Sequence, residues 1–158
     1  MRKWKRGELG AGTFVAGGNG RGKQLNQLHN PSNIFVDRND TVYVSDYGNH
    51  RVMKWLKGAK EGIVVAGGHG QGMGLKQLDL PCGLIVNEIG DVFVADCNNN
   101  RIMCWPLGSK EGRVVINGSY STEEYGLFNC PRGLAFDSEN NLYVVELSNK
   151  QVIRFDVN

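Results

Sequence analysis

The sequence lacks any long apolar stretch and any marked excess of one charge. No run approaches the roughly 18 apolar residues of a membrane-spanning helix, and no apolar segment follows the basic residues at the start, as a signal peptide requires. Eighteen Lys and Arg stand against sixteen Asp and Glu. The resulting net charge of +2 is too small to indicate a nucleic-acid-binding surface by itself. The composition therefore predicts a soluble chain with no membrane partner.

Metal-binding patterns and helical periodicity are missing as well. None of the cysteines forms a C-x-x-C pair, and the three histidines, His29, His50 and His69, are not spaced to meet at one metal. No window shows the apolar spacing of an amphipathic helix. We therefore expect an all-β chain without a cofactor or metal site, and we interpret the histidines as surface or turn residues.

What the sequence does contain is an internal repeat with a period of 50 residues. Pro31, Pro81 and Pro131 coincide under this shift, and β-branched and aromatic triplets follow them at residues 42–44, 92–94 and 142–144. A fixed period of this length is typical of a supersecondary unit that buries its apolar face by stacking on its neighbours. The positions that recur and that we interpret as structural are Asp46, Asp96 and Glu146, then Arg51 and Arg101, then Trp55, Trp105 and Phe155.

One repeat contains four short strand patterns. Residues 83–96 hold two apolar runs separated by turn residues, which indicates a hairpin, and residues 101–105 and 113–116 add a third and a fourth run. The connections are short and rich in Gly, Asn, Asp or Pro. Four antiparallel strands per repeat predict a propeller blade.

The repeat resembles the NHL repeat. The resemblance rests on NPSNIFVD at residues 30–37, VYVSD at 42–46 and GNHRV at 48–52, and on their copies CPRGLAFD at 130–137 and VADCNNNRI at 94–102. The third copy departs from the pattern, since Glu146 replaces the Asp and Gln151 the Arg. The resemblance implies a β-propeller, usually of six blades, that binds proteins or RNA. Some related propellers carry out metal-dependent lyase or lactonase chemistry, so the resemblance also implies that alternative.

The frame of the repeats predicts a single domain over residues 1–158 that holds half of a propeller. Complete blades are expected at 31–68 and 81–118, the lone fourth strand of a split blade within 1–18, and the first three strands of a blade at 131–158. Known propellers have about four to eight blades. We therefore expect a homodimer, in which each amino-terminal strand completes the last blade of the other copy. The rival interpretation is a piece of a longer propeller.

The cysteines Cys82, Cys97, Cys104 and Cys130 allow several pairings. The predicted hairpin brings Cys82 and Cys97 to one end of a blade, so a disulfide between them is feasible. Cys130, on the next blade, competes for Cys97, and reduced buried thiols are an equal alternative.

Strand direction places the blade-joining loops and the loops between second and third strands on one face. These loops are long and rich in Gly, and such loops often carry binding residues on a rigid scaffold. We predict a non-catalytic module that binds a protein or small ligand on this face. Single-stranded RNA binding and a metal-dependent lyase or lactonase are the alternatives. The candidate residues of this face are Arg21, Lys23, Tyr47, His69, Lys76, Asn98, Tyr120 and Arg132.

Overall fold

The computed structural model describes residues 1–3, 11–118 and 129–156, and nearly all regular structure in them is β. Two single 3-10 turns, Tyr47–Asn49 and Cys97–Asn99, interrupt the strands. No helix capable of crossing a bilayer occurs in these residues. The strands are β1 (Arg2–Lys3), β2 (Thr13–Phe14), β3 (Pro31–Val36), β4 (Val42–Asp46), β5 (Arg51–Trp55), β6 (Ile63–Gly67), β7 (Pro81–Val86), β8 (Val92–Asp96), β9 (Arg101–Trp105), β10 (Arg113–Asn117), β11 (Pro131–Phe136), β12 (Leu142–Glu146) and β13 (Gln151–Phe155).

The strands form antiparallel meanders in chain order. Strands β3 to β6 make one four-stranded sheet and β7 to β10 a second, which we call the first and second blades. Strands β11 to β13 make a three-stranded sheet, here called the third blade. The all-β class and the propeller-like arrangement of the blades are confirmed.

A turn-holding aspartate closes the first hairpin of the first and third blades, and in the second blade Asn87 takes its place and accepts the Asp91 N–H at 2.8 Å. Asp37 accepts the backbone N–H groups of Asn39 and Thr41 at 2.8 and 2.9 Å. Asp137 repeats this arrangement in the third blade. The next-to-last turn residue lies in the left-handed region, with φ of 61° at Asp40 and 92° at Gly90. Asp, Asn and Gly tolerate this conformation best, which is why they occupy these turns.

The apolar core lies between consecutive blades. Tyr43, Val52 and Ala66 of the first blade pack with Val94 and Trp105 of the second in one buried cluster. A second cluster joins the second and third blades, and a third cluster joins Ala16 to the first blade. Trp55 and Trp105 are almost fully buried, whereas Phe155 of the third blade is half-buried. Consecutive blades thus bury the faces that they turn towards each other, as stacked repeats require.

The innermost strands approach each other closely. The Ser32 hydroxyl donates to the carbonyl oxygens of Pro81 and Cys82, each at 3.1 Å. At Gly83 an added Cβ would lie 2.1 Å from the Arg132 carbonyl oxygen. The contact between β7 and β11 therefore requires a residue without a side chain at position 83.

The amino-terminal segment differs from the expected lone fourth strand. Strand β2 is paired with β1, with Arg2 opposite Phe14 and Lys3 opposite Thr13. In the first blade Ile63, which aligns with Thr13, is paired with Lys54 of β5. The segment therefore holds counterparts of a third and a fourth strand.

The disulfide differs from the predicted pairing of Cys82 with Cys97. It joins Cys97 to Cys130, whose Cα atoms are 4.1 Å apart, and links the second blade to the third. Cys82 and Cys104 are free and buried. The hairpin does place Pro81 opposite Asp96, but the register shifts between Pro81 and Leu84, and the Cys82 thiol turns towards the Leu80 carbonyl.

Candidate functional site

A buried carboxylate–arginine network at the end of β4 anchors a blade-joining loop. The Asp46 carboxylate accepts the His29 backbone N–H at 2.6 Å, the Asn49 amide at 2.8 Å and Arg51 Nε at 2.7 Å. Asp46 has no exposed surface and Arg51 is also buried. Every donor that faces this carboxylate belongs to its own blade or to the loop before it.

The guanidinium of Arg51 continues the network into the preceding loop. Its Nη1 donates to the Lys23 carbonyl at 2.9 Å, and its Nη2 donates to the carbonyls of Gln24 and Gln27 at 3.0 and 3.2 Å. Asn49 adds a bond to the Gly22 carbonyl at 2.8 Å. The loop backbone is thus held by charge-assisted hydrogen bonds that end on a buried ion pair.

The second blade repeats the network. Asp96 accepts from the Asp79 backbone, from Asn99 and from Arg101 at 2.6, 2.8 and 2.7 Å. Arg101 donates to the carbonyls of Met73, Gly74 and Gln77. Burial raises the pKa of the Asp96 carboxyl, and the hydrogen bonds from Asp79, Asn99 and Arg101 partly oppose that shift. We call these two sets of residues the loop-anchoring network.

The third blade uses a longer carboxylate and backbone donors. Glu146 is buried, and it accepts the N–H groups of Asn129, Ser148 and Asn149 at 3.2, 2.8 and 2.6 Å. Gln151, opposite it in β13, is exposed. The extra methylene of Glu lets the carboxylate reach the turn that follows β12.

His50 and the aligned Asn100 each form a hydrogen bond that links their blade to the chain segment before the next blade. His50 Nδ1 accepts the Leu80 backbone N–H at 3.2 Å and lies 3.6 Å from Asp79 Oδ1. In the second blade Asn100 Oδ1 accepts the Cys130 N–H at 2.8 Å. The histidine interpreted from sequence as a surface or turn residue therefore also acts as a hydrogen-bond acceptor between blades.

The predicted binding residues fall into three groups. Arg21, Lys23, Asn98 and Arg132 are exposed on or beside the loops, and Tyr47 is half-buried in its 3-10 turn. His69 and Lys76 are exposed and line a cavity between the first and second blades. Tyr120 lies outside the described residues. The cavities beside the first blade do not include the residues of the first group, which lie on the surface of the loops.

Lys76 departs from its predicted place because the blade-joining loop runs down the blade. The Leu75 carbonyl accepts the Gly112 N–H at 2.8 Å, next to the start of β10 and at the end of β9 that carries Trp105. The loop therefore spans from the network at Arg101 to the opposite end of the blade. We define the loop face as Arg21, Lys23, Tyr47, His69, Asn98 and Arg132.

Two glutamines that sequence reasoning missed shape the loops from inside. Gln77 donates to the carbonyls of His69 and Gln71 at 3.2 and 3.4 Å. Gln27 donates to the Asn19 carbonyl at 3.0 Å. The two glutamines are 50 residues apart, so the repeat itself was the signal that could have revealed them.

Comparison with known proteins shows the fold and no family. No protein-family profile and no curated protein matches the chain. Among solved structures, the chain is similar to a streptogramin B lyase, with 17% identity over 77% of this chain and 35% of that one, at a TM-score of 0.50. It is also similar to a structural genomics protein of unknown function from Bacteroides thetaiotaomicron, with 18% identity over 72% of this chain and 31% of that one, at a TM-score of 0.58. The chain spans about a third of the length of either protein, and these likenesses support a β-propeller scaffold.

Proposed function

We propose that this chain is a non-catalytic interaction module of the NHL propeller kind, which binds a protein or small ligand through its loop face. The observation that carries the proposal is the loop-anchoring network. It fixes the backbone of two blade-joining loops from below, while the side chains of Arg21, Lys23 and His69 stay exposed above it. A loop that is already ordered loses little conformational freedom when a partner binds.

The same network weighs against a catalytic use of its carboxylates. Asp46 and Asp96 have no exposed surface, and each carboxylate accepts three hydrogen bonds within the chain. A general acid or base must come within hydrogen-bond reach of a substrate. The streptogramin B lyase shares the fold, and fold alone does not carry an activity from one protein to another.

A peptide selection tests the loop face directly. Peptides are selected from a random display library on the folded protein, and their Kd values are measured for the wild type and for the double variant Arg21→Ala with Lys23→Ala. We expect a loss of about tenfold or more, as for residues at the centre of an interface. The control is Lys60→Ala with Glu111→Ala, on the opposite ends of the blades.

Two outcomes would contradict the proposal. One is peptide binding that loop-face substitutions leave unchanged. The other is binding to single-stranded RNA alone, with an affinity that falls steeply as salt rises, which indicates phosphate contacts and the RNA-binding alternative.

We also propose that a second copy of the chain covers the open ends of the blade stack. Ile34 and Val36 on β3 are 51% and 50% exposed, whereas their counterparts in the second blade, Leu84 and Val86, are 4% and 8% exposed. The leading side of the first blade thus presents an apolar strand that a preceding blade would bury.

The trailing side of the third blade is apolar in the same way. Val145 and Val152 are 43% and 63% exposed, whereas their counterparts Ala95 and Ile102 are fully buried. The two open sides are complementary, since each repeat packs its leading side on the trailing side of the repeat before it. Association of two copies in this register gives a ring of six blades around a two-fold axis.

A further inference from the structure

A cavity of about 480 Å³ lies between the first and second blades, away from the loop face for most of its length. Tyr43, Val92 and Trp105 are buried residues that form its floor, and Ile63 and Leu107 contribute apolar walls. Its volume falls within the range of roughly 300–1,000 Å³ that small-molecule sites occupy. The cavity therefore has the size and the apolar surface to hold the body of a small ligand.

The charged residues that line this cavity are all basic. Lys54, Lys76 and Lys110 line it together with His69, and no Asp or Glu side chain does so. None of the salt bridges found among the described residues involves these lysines. Asp91, the acid next to lining residues Gly90 and Val92, is half-buried and accepts the Leu107 N–H at 2.9 Å.

The corresponding cavity one repeat earlier provides an internal comparison. It lies between β1–β2 and the first blade and has a volume of about 400 Å³, and its charged lining residues are Arg2, Lys3, Asp40 and Lys57. Asp40 forms salt bridges with both lysines, at 3.6 and 2.8 Å. The residue 50 positions after Asp40 is Gly90. The second cavity therefore lacks the acid of the first, and its basic residues occupy other positions of the repeat, since Leu107 aligns with Lys57.

We propose that this second cavity binds a small organic anion. An aromatic or branched aliphatic body would lie against Tyr43 and Trp105, and a carboxylate or phosphate would face the lysines that line the same cavity. The lysines supply charge-assisted hydrogen bonds, and the apolar floor supplies contact area. This site shares the exposed residue His69 with the loop face, but its lysines lie outside that face, so the anion site can be tested independently of the interaction proposed there.

Titration calorimetry at low salt tests the site with three matched probes: naphthoate, naphthyl phosphate and the uncharged naphthalenemethanol. We expect at least one anion to bind about tenfold or more tightly than the alcohol, because only the anions engage the lysines. The tighter of the two anions identifies the head group. Equal binding of all three probes, or binding of none, would overturn the proposal.

The chain supplies its own pair of variants. Gly90→Asp restores the acid of the first cavity, and Gly90→Asn matches it in shape without the charge. Position 90 has a φ of 92°, and both replacements occur in that turn elsewhere, at Asp40 and Asn140 with φ of 61° and 64°. An added Cβ would lie 3.3 Å from the Leu107 side chain, which is exposed and can move.

We expect Gly90→Asp to weaken anion binding about tenfold or more and Gly90→Asn to leave it within about twofold. Lys54→Met should weaken it as well. Equal weakening by the Asp and Asn variants would show that shape and not charge matters, which contradicts the proposal. Selected peptides that still depend on Arg21 and Lys23 would keep the loop-face proposal intact in that case.

Discussion

At the scale of single residues, Arg101 shows how a repeat position becomes structural. Its guanidinium connects the buried Asp96 carboxylate to the carbonyls of Met73, Gly74 and Gln77. Removing such a residue leaves a buried charge and several carbonyl oxygens without their donor. The cost of breaking a buried pair in this way is about 3–5 kcal/mol.

We therefore predict that Arg101→Gln lowers the free energy of unfolding by about 3–5 kcal/mol in urea denaturation followed by circular dichroism. The matched control is Gln151→Ala, at the aligned exposed position of the third blade, where the change should stay within about 0.5 kcal/mol. A loss below about 1 kcal/mol for Arg101→Gln would show that the network contributes little.

Because the pKa of Asp96 is raised in the folded state, the stability of the Arg101→Gln variant should depend on pH. The folded-state pKa of Asp96 is raised by burial, so this carboxyl favours the folded state below its unfolded pKa, and that contribution is lost as the pH rises through the folded pKa. Loss of the Arg101 charge raises the folded pKa further. The stability deficit of Arg101→Gln should therefore be smaller near pH 4 than near pH 7.

Repetition predicted which residues share a role, and it predicted less about what they contact. Structural roles for Asp46 and Arg51 were among the expectations, because both positions recur. The reach of Arg51 to the carbonyls of residues 23–27, and of His50 to the Leu80 N–H, depends on how a loop from elsewhere in the chain folds over the blade. A period of identical residues carries no information on that path.

At the scale of strands and blades, glycine at position 83 sets the distance between innermost strands. The Cβ of an alanine there would lie 2.1 Å from a backbone oxygen of Arg132. At the aligned Gly133 the nearest atom is Val145 Cγ2 at 3.0 Å, on a side chain that is exposed and can rotate.

We predict that Gly83→Ala lowers stability by about 3 kcal/mol or more, because β7 and β11 must separate. The control Gly133→Ala should cost no more than about 1 kcal/mol. Thermal denaturation of the two variants measures the difference. Similar losses at both positions would mean that the innermost strands are not in the close contact described.

The disulfide between Cys97 and Cys130 connects the second and third blades across 33 residues. Closing a loop of this length stabilises a protein by about 3–4 kcal/mol in the chain-entropy model. The double variant Cys97→Ala with Cys130→Ala should lose about this amount, and reduction of the wild type should reproduce the loss without affecting the variant. Peptide mapping that instead links Cys82 to Cys97 would contradict this assignment.

Sequence pattern predicted the strands better than it predicted the links between them. Period-two apolar runs and Gly, Asn and Asp turns indicate β3 to β13 directly. The partner of Cys97 could not be chosen in this way, because Cys130 lies in the turn before β11, with a φ of 52° that its spacing does not reveal. Strand β1 was also missed, since it pairs only two residues with β2.

At the scale of the whole molecule, the main feature is that both outer sides of the blade stack expose apolar residues. Exposed Val152 on the third blade and exposed Ile34 on the first would meet in a six-bladed ring. In the single chain β1 occupies the edge of β2 that β13 of a second copy would take, so closure by strand exchange requires displacement of this two-residue pairing. The expected homodimer rests on the frame of the repeat and stays a proposal.

The native mass in solution, measured by light scattering after size-exclusion chromatography, tests the proposed ring most directly. We predict a mass of about 35 kDa, twice the 17.4 kDa of one chain. Val152→Lys should return it to the mass of one chain, whereas Ile89→Lys, at an equally exposed position in a hairpin turn, should not. A wild-type mass near 17.4 kDa at micromolar concentration would contradict the proposed six-bladed ring of two chains.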